Sequence, residues 1–126
     1  MCVNQFRKVY QVPFSKPILA VEKASFAVDE GECFALLGVN GAGKSTTFKS
    51  LTNVVTPTDG LVQVAGENVG EEFETVRHKI GYCPQQDSLF TGLTVMEHLQ
   101  YYAVLKGLPP KYHAKFILHA IKRLGI

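Results

Sequence analysis

No stretch of this 126-residue sequence is apolar for long, and the run Cys33-Phe34-Ala35-Leu36-Leu37 is as long as any. A bilayer-crossing helix needs about 20 such residues in succession, so no spanning segment is expected. The start, Met1-Cys2-Val3-Asn4-Gln5-Phe6-Arg7-Lys8, lacks the apolar centre of a secretory signal. Cysteine is scarce as well. Cys2, Cys33 and Cys83 are odd in number, far apart and without a Cys-x-x-Cys pair. That argues against a disulfide framework and a zinc site, and suits a reducing, cytosolic setting. Nor is there an excess of one charge: 13 Lys and Arg against 11 Asp and Glu leave +2. Such a balance excludes a general nucleic-acid surface, and no nucleic-acid partner is expected. The four histidines (His78, His98, His113, His119) have no ligand spacing and are expected at the surface or partly packed. No repeat or low-complexity tract occurs. What remains is ordinary globular composition, 46% apolar and 19% charged, in a length that fits one small domain or a piece of a larger one.

Glycine and proline punctuate the chain. Phe6 to Tyr10 and Ile18 to Val28 are β-branched or aromatic stretches and predict an antiparallel hairpin region. Asp29-Glu30-Gly31-Glu32 predicts a turn. Cys33 to Leu37 then predicts a strand buried on both faces of a parallel sheet. A glycine loop follows, and Lys44 to Leu51 predicts a helix that Asn53 can end in the left-handed conformation. Thr56 to Gly60 predicts a turn and Leu61 to Ala65 a strand closed by Gly66. Phe73 to Lys79 predicts a short helix, and Ile80 to Cys83 another strand stopped by Pro84. Thr94-Val95-Met96-Glu97 has the form of a capping box opening a helix to about Leu105. Lys111 to Leu124 sets Ile117, Ala120, Ile121 and Leu124 on one helical face.

The chemistry lies in the glycine loop. Gly38-Val39-Asn40-Gly41-Ala42-Gly43-Lys44-Ser45 fills every position of the phosphate-loop pattern, between a strand-like run and a helix-like one. Glycines let the backbone curve around phosphates so that successive N–H groups point inward. The helix starting near Lys44 adds the positive end of its dipole. Lys44 is expected on the β- and γ-phosphates, the Ser45 hydroxyl on Mg²⁺, and Thr46 towards the α-phosphate. Gly38, Asn40, Gly41, Ala42 and Gly43 line the cradle. Gly41-Ala42-Gly43 does not extend to G-x-G-x-x-G, so a dinucleotide fingerprint is not supported.

Leu36 to Phe48 resembles the Walker A region of ATP-binding cassette (ABC) transporters, in wording closest to subfamily A, a mostly lipid-moving group. Ile80-Gly81-Tyr82-Cys83-Pro84-Gln85-Gln86-Asp87-Ser88-Leu89-Phe90, with Leu93-Thr94-Val95-x-Glu97-His98-Leu99, is similar to the Q-loop and the start of the helical subdomain in the same group. The resemblance covers nearly the whole chain. It implies an α/β P-loop NTPase fold of ABC type, with an antiparallel β subdomain and the start of a helical subdomain. On that reading residues 1–90 form the ATP-binding core and 91–126 open the helical subdomain.

The resemblance also implies roles. Gln85 matches the Q-loop glutamine, which contacts Mg²⁺ and the attacking water and relays nucleotide state; an amide can ligate through oxygen and donate through nitrogen. Gln86 is the alternative register. Tyr10 falls where the family keeps an aromatic that stacks on adenine, with Phe14 as the alternative. The implied ligands are ATP and Mg²⁺. The implied partners are transmembrane domains and a second nucleotide-binding domain, which would hold the chain at the cytosolic face of a membrane. The family's Leu-Ser-Gly-Gly-Gln signature, Walker B carboxylates and switch histidine do not occur in these residues. The expectation is therefore the first half of a nucleotide-binding domain, inactive as an ATPase by itself and with apolar surface uncovered. A soluble ABC ATPase and a non-catalytic nucleotide-binding fragment are the competing readings. A small GTPase is excluded, since no Asn-Lys-x-Asp motif occurs.

Overall fold

The computed structural model describes residues 1–86 and 88–125. Asp87, within the Q-loop-like stretch, and Ile126 lie outside the described residues. The chain divides into two compact units, Met1–Tyr82 and Cys83–Ile126.

The first unit is built on one antiparallel sheet. Its strands are β1 (Cys2–Tyr10), β2 (Ile18–Ala27), β3 (Asp59–Val64) and β4 (Glu67–Asn68), in the order β2-β1-β3-β4. Val3 and Phe6 of β1 are both buried, yet three residues apart they would face opposite sides of a regular strand. A bulge resolves this. Gln5 takes a positive φ of 52°, and the register with both neighbours shifts at this point. The kink rephases β1 so that both side chains reach the core with Val21, Val62, Val69, Val76 and Leu51. The Gln5 N–H is satisfied by Ser25 Oγ at 2.8 Å.

Helix α1 (Lys44–Leu51) buries Thr47, Ser50 and Leu51. It ends as expected, with Asn53 at φ 55° and the Val54 N–H donating to Lys49 at 2.8 Å. Ala65 and Gly66, both at positive φ, form the tight turn from β3 to β4. Helix α2 (Phe73–Val76) is shorter than its sequence suggests and buries Val76.

Two predicted strands are corrected. Cys33–Leu37 is not a strand, and Leu37 is 87% exposed. Ile80–Cys83 is not a strand either, although Ile80 packs against the core. Apolarity fits a residue for a buried strand, but a strand exists only where another backbone offers its N–H and C=O groups. Among the described residues no segment pairs with either stretch. Phe34 instead stacks on Phe26 of β2, ring centroids 5.0 Å apart.

The second unit holds α3 (Val95–Leu105) and α4 (Pro110–Leu124). The capping box is formed: the Thr94 N–H donates to Glu97 Oε2 at 2.7 Å, and the Glu97 N–H to Thr94 Oγ1 at 3.3 Å. Gly107, at φ 71°, follows the end of α3. On α4, Ile117 is buried and Ala120 and Ile121 are half-buried, but Leu124 is exposed, so the apolar face stops a turn early. His98 is partly packed, as expected. Its Nε2 accepts from the Phe90 N–H at 2.9 Å, and its Nδ1 lies 3.0 Å from the Thr94 carbonyl, which assigns the proton to Nδ1.

The Thr94 N–H, then the Thr94 hydroxyl, hold the Glu97 carboxyl below its ordinary value of 4.5. A depressed carboxyl stabilises the fold above the ordinary value and loses that contribution as pH falls through the lower, folded one. Helix content read by circular dichroism is therefore expected to drop below pH 4.5 in a step that Glu97→Gln reduces. Superimposable acid titrations of the two proteins would contradict this role for the cap.

Candidate functional site

The glycine loop is pressed against the sheet. Gly41 and Gly43 both have φ 86°, a conformation that side chains with a Cβ disfavour. A Cβ on Gly43 would lie 2.6 Å from the Ala20 carbonyl oxygen and 2.6 Å from Val21 Cγ2. The loop therefore leans on β2 at the one residue small enough to allow it. The Ala42 N–H donates to Val39 at 3.2 Å, closing a turn inside the loop. Thr47 then pins the start of α1, its N–H and Oγ1 reaching the Gly43 carbonyl at 2.9 and 3.0 Å.

Lys44 reaches back across this turn. Its Nζ donates to the carbonyls of Gly38 at 2.6 Å and Val39 at 2.8 Å. An ammonium has three N–H donors, so two hold it over the loop and the third is left for an anion. Gly43 is the N-cap of α1 and no side chain caps the helix, which leaves the first-turn N–H groups and the positive dipole end directed to the same place. Asn40 and Ser45 are exposed and Thr46 is half-buried. A cavity of about 470 Å³ opens between β2 and the loop, bounded by Ala20, Val21, Leu36, Gly41, Lys44 and Thr47 among others.

Tyr10 ends β1, half-buried and paired with Ile18. The same ladder pairs Lys8 with Val21, the residue that Gly43 touches. Tyr10 thus lies three positions along β2 from the point where the loop docks. Phe14 stands fully exposed between β1 and β2 at φ 59°. Gln85 belongs to the second unit, where it and Gln86 are exposed at a bend. The phosphate-loop residues and the Tyr10 strand are brought into one unit, and Gln85 is carried by the other.

One neighbour escaped the sequence reading. Lys8 Nζ sits 5.2 Å above the Tyr10 ring centroid. The signal was there, since residues two apart on a strand share a face. Among the described residues no group of three His, Cys, Asp or Glu side chains could hold a metal, so any cation here would depend on hydroxyl, amide and ligand oxygens.

Residues 21–126 match the family described as ABC transporter. The ATP-binding cassette sub-family A member 2 of Rattus norvegicus is 44% identical over 124 residues, covering 98% of this chain and 5% of that protein. Phospholipid-transporting ATPase ABCA3 of Rattus norvegicus is 46% identical over 111 residues, covering 88% of this chain and 6% of that protein. The chain thus spans about a twentieth of the length of the curated relatives it matches. Among solved structures, an ATP-binding subunit of an ABC transporter has a TM-score of 0.71 at 32% identity, over 90% of this chain and 45% of that one. A cassette solved as a dimer with ADP and phosphate has a TM-score of 0.77 at 22% identity, over 96% and 55%. That last likeness is one of fold.

Proposed function

The chain belongs to the ABC transporter family, and from that premise we propose that residues 38–46 bind the phosphates of ATP in a domain that couples ATP hydrolysis to transport across a membrane. The observation that carries this is the Lys44 ammonium, held by two loop carbonyls beside an uncapped helix start. Gly38, Asn40, Gly41, Ala42 and Gly43 form the cradle, with Ser45 and Thr46 in the first turn of α1. Residues 1–90 act as the ATP-binding core and 91–126 begin the helical subdomain. The names of relatives such as the phospholipid-transporting ATPase ABCA3 support a lipid as cargo. Transmembrane domains and a second nucleotide-binding domain are the partners, and they place the chain at the cytosolic face of the membrane.

The donor set suits Mg²⁺, which takes a few hard oxygen ligands and completes its shell with phosphate and water. Ser45 offers a hydroxyl oxygen, and Gln85 is proposed as an amide ligand on its resemblance to the Q-loop glutamine alone. When bound, the cation would neutralise phosphate charge. The chain's own part is to orient: the glycine loop fixes the phosphates, Lys44 adds a charge-assisted hydrogen bond, and Tyr10 presents an aromatic face to the base.

Binding and coupling separate these roles. Tyr10→Ala is expected to weaken Mg·ATP binding by about 1–3 kcal/mol, the usual cost of one lost stacked base, while Tyr10→Trp preserves it. Isothermal titration checks this, and a Phe14→Ala variant that weakens binding when Tyr10→Ala does not would move the stacking role to Phe14. In the full-length protein, Gln85→Ala is expected to cut hydrolysis and transport far more than ATP affinity. Normal transport with poor affinity would remove Gln85 from the site.

A further inference from the structure

Lys8 and Tyr10 share one face of β1, and the lysine has a fixed anchor. Its Nζ donates to the Thr56 carbonyl at 2.7 Å while lying 5.2 Å from the Tyr10 ring centroid, inside cation–π range. The segment bearing Thr56 is stitched to the same strand. The Thr58 N–H donates to Arg7 at 2.9 Å, and the Val9 N–H donates to Thr58 Oγ1 at 3.0 Å. This segment leaves α1 at a tight C-terminal turn, where the Val54 and Val55 N–H groups both donate to Lys49. The helix that carries Lys44 at its start therefore also sets the point to which Lys8 is tied.

We propose that Lys8 is a positioning residue for base recognition: tethered to Thr56, its ammonium covers one face of the Tyr10 ring and holds the ring so that a purine stacks on the other. The proposal rests on the nucleotide-binding reading above and deepens it. A tethered cation restricts the ring's rotation before ligand arrives, which lowers the ordering cost of stacking. It also reserves one face, so that base, ring and ammonium form a single stack. A lysine serving only surface charge or strand packing would have no reason to distinguish a nucleotide from its phosphates.

The test titrates the 126-residue chain with two ligands, Mg·ATP and inorganic tripolyphosphate, by calorimetry. Lys8→Met, which keeps the stem but not the charge, is expected to weaken ATP binding about two- to fivefold, the range of an exposed cation–π contact. Tripolyphosphate affinity stays unchanged. Lys8→Arg retains ATP affinity, and Lys8→Met adds nothing in a Tyr10→Ala background. Equal weakening for both ligands, no weakening for ATP, or full additivity with Tyr10→Ala would each overturn the proposal. A second measurement needs no ligand. The chain has no tryptophan, so Tyr10→Trp creates a single reporter. Adding Lys8→Met should increase its quenching by acrylamide, and unchanged quenching would count against the tether. If the unaltered chain binds neither ligand, the phosphate-loop reading falls and takes this proposal with it; if it binds both and Lys8→Met alters neither, only this proposal falls.

Discussion

Lys44→Ala is expected to weaken Mg·ATP binding by ten- to a hundredfold and to abolish hydrolysis in the full-length protein. The first figure follows from losing a hydrogen bond to a charged group, about 1.5–3 kcal/mol. Within the loop nothing replaces the charge, because its other polar groups are backbone amides, the Asn40 side-chain amide and the hydroxyls of the first helical turn. The substitution also frees the Gly38 and Val39 carbonyls that the ammonium now bridges. Hydrolysis falls further than binding, since negative charge on the transferring phosphoryl group is stabilised in the transition state by fixed donors of this kind. Calorimetry reads the affinity and phosphate release the turnover. Unchanged turnover would take Lys44 out of the site.

Gly43→Ala is the second large effect, and it acts through the fold before the ligand. At φ 86° a Cβ costs about 1–2 kcal/mol by itself. At Gly43 it also meets the Ala20 carbonyl and Val21 Cγ2 at 2.6 Å. The carbonyl is backbone and Val21 is buried within the core cluster, so neither yields as a flexible side-chain tip would. Forced displacement of this sort costs typically about 1–3 kcal/mol. The loop must lift from β2, and the N-terminus of α1 moves with it, since Thr47 is bonded to the Gly43 carbonyl. A lower thermal midpoint and lost ATP binding are both expected. Gly41→Ala provides the control: its φ is the same, but a Cβ there meets nothing within 4 Å. Equal damage from the two substitutions would refute the docking of Gly43 on β2.

The features legible from residue order are those closed within a few residues of chain. The phosphate loop and its helix, the left-handed exit at Asn53, and the Thr94–Glu97 box each depend on donors and acceptors three to six positions apart. Spacing alone therefore specifies them, and these include most of the candidate site. Distant pairing governed the remainder. The bulge at Gln5 turns Val3 and Phe6 to the same side because β2 and β3 hold the strand on both edges, which no alternation pattern in β1 announces. Cys33–Leu37 has the composition of a buried strand and lacks a paired neighbour among the described residues, so its apolarity was insufficient. Gly43 against Val21 and Lys8 against Thr56 join residues 22 and 48 positions apart. Such contacts exist only once the sheet has set its register, because hydrogen bonds between strands and the steric limit at a glycine are decided by what lies across the gap.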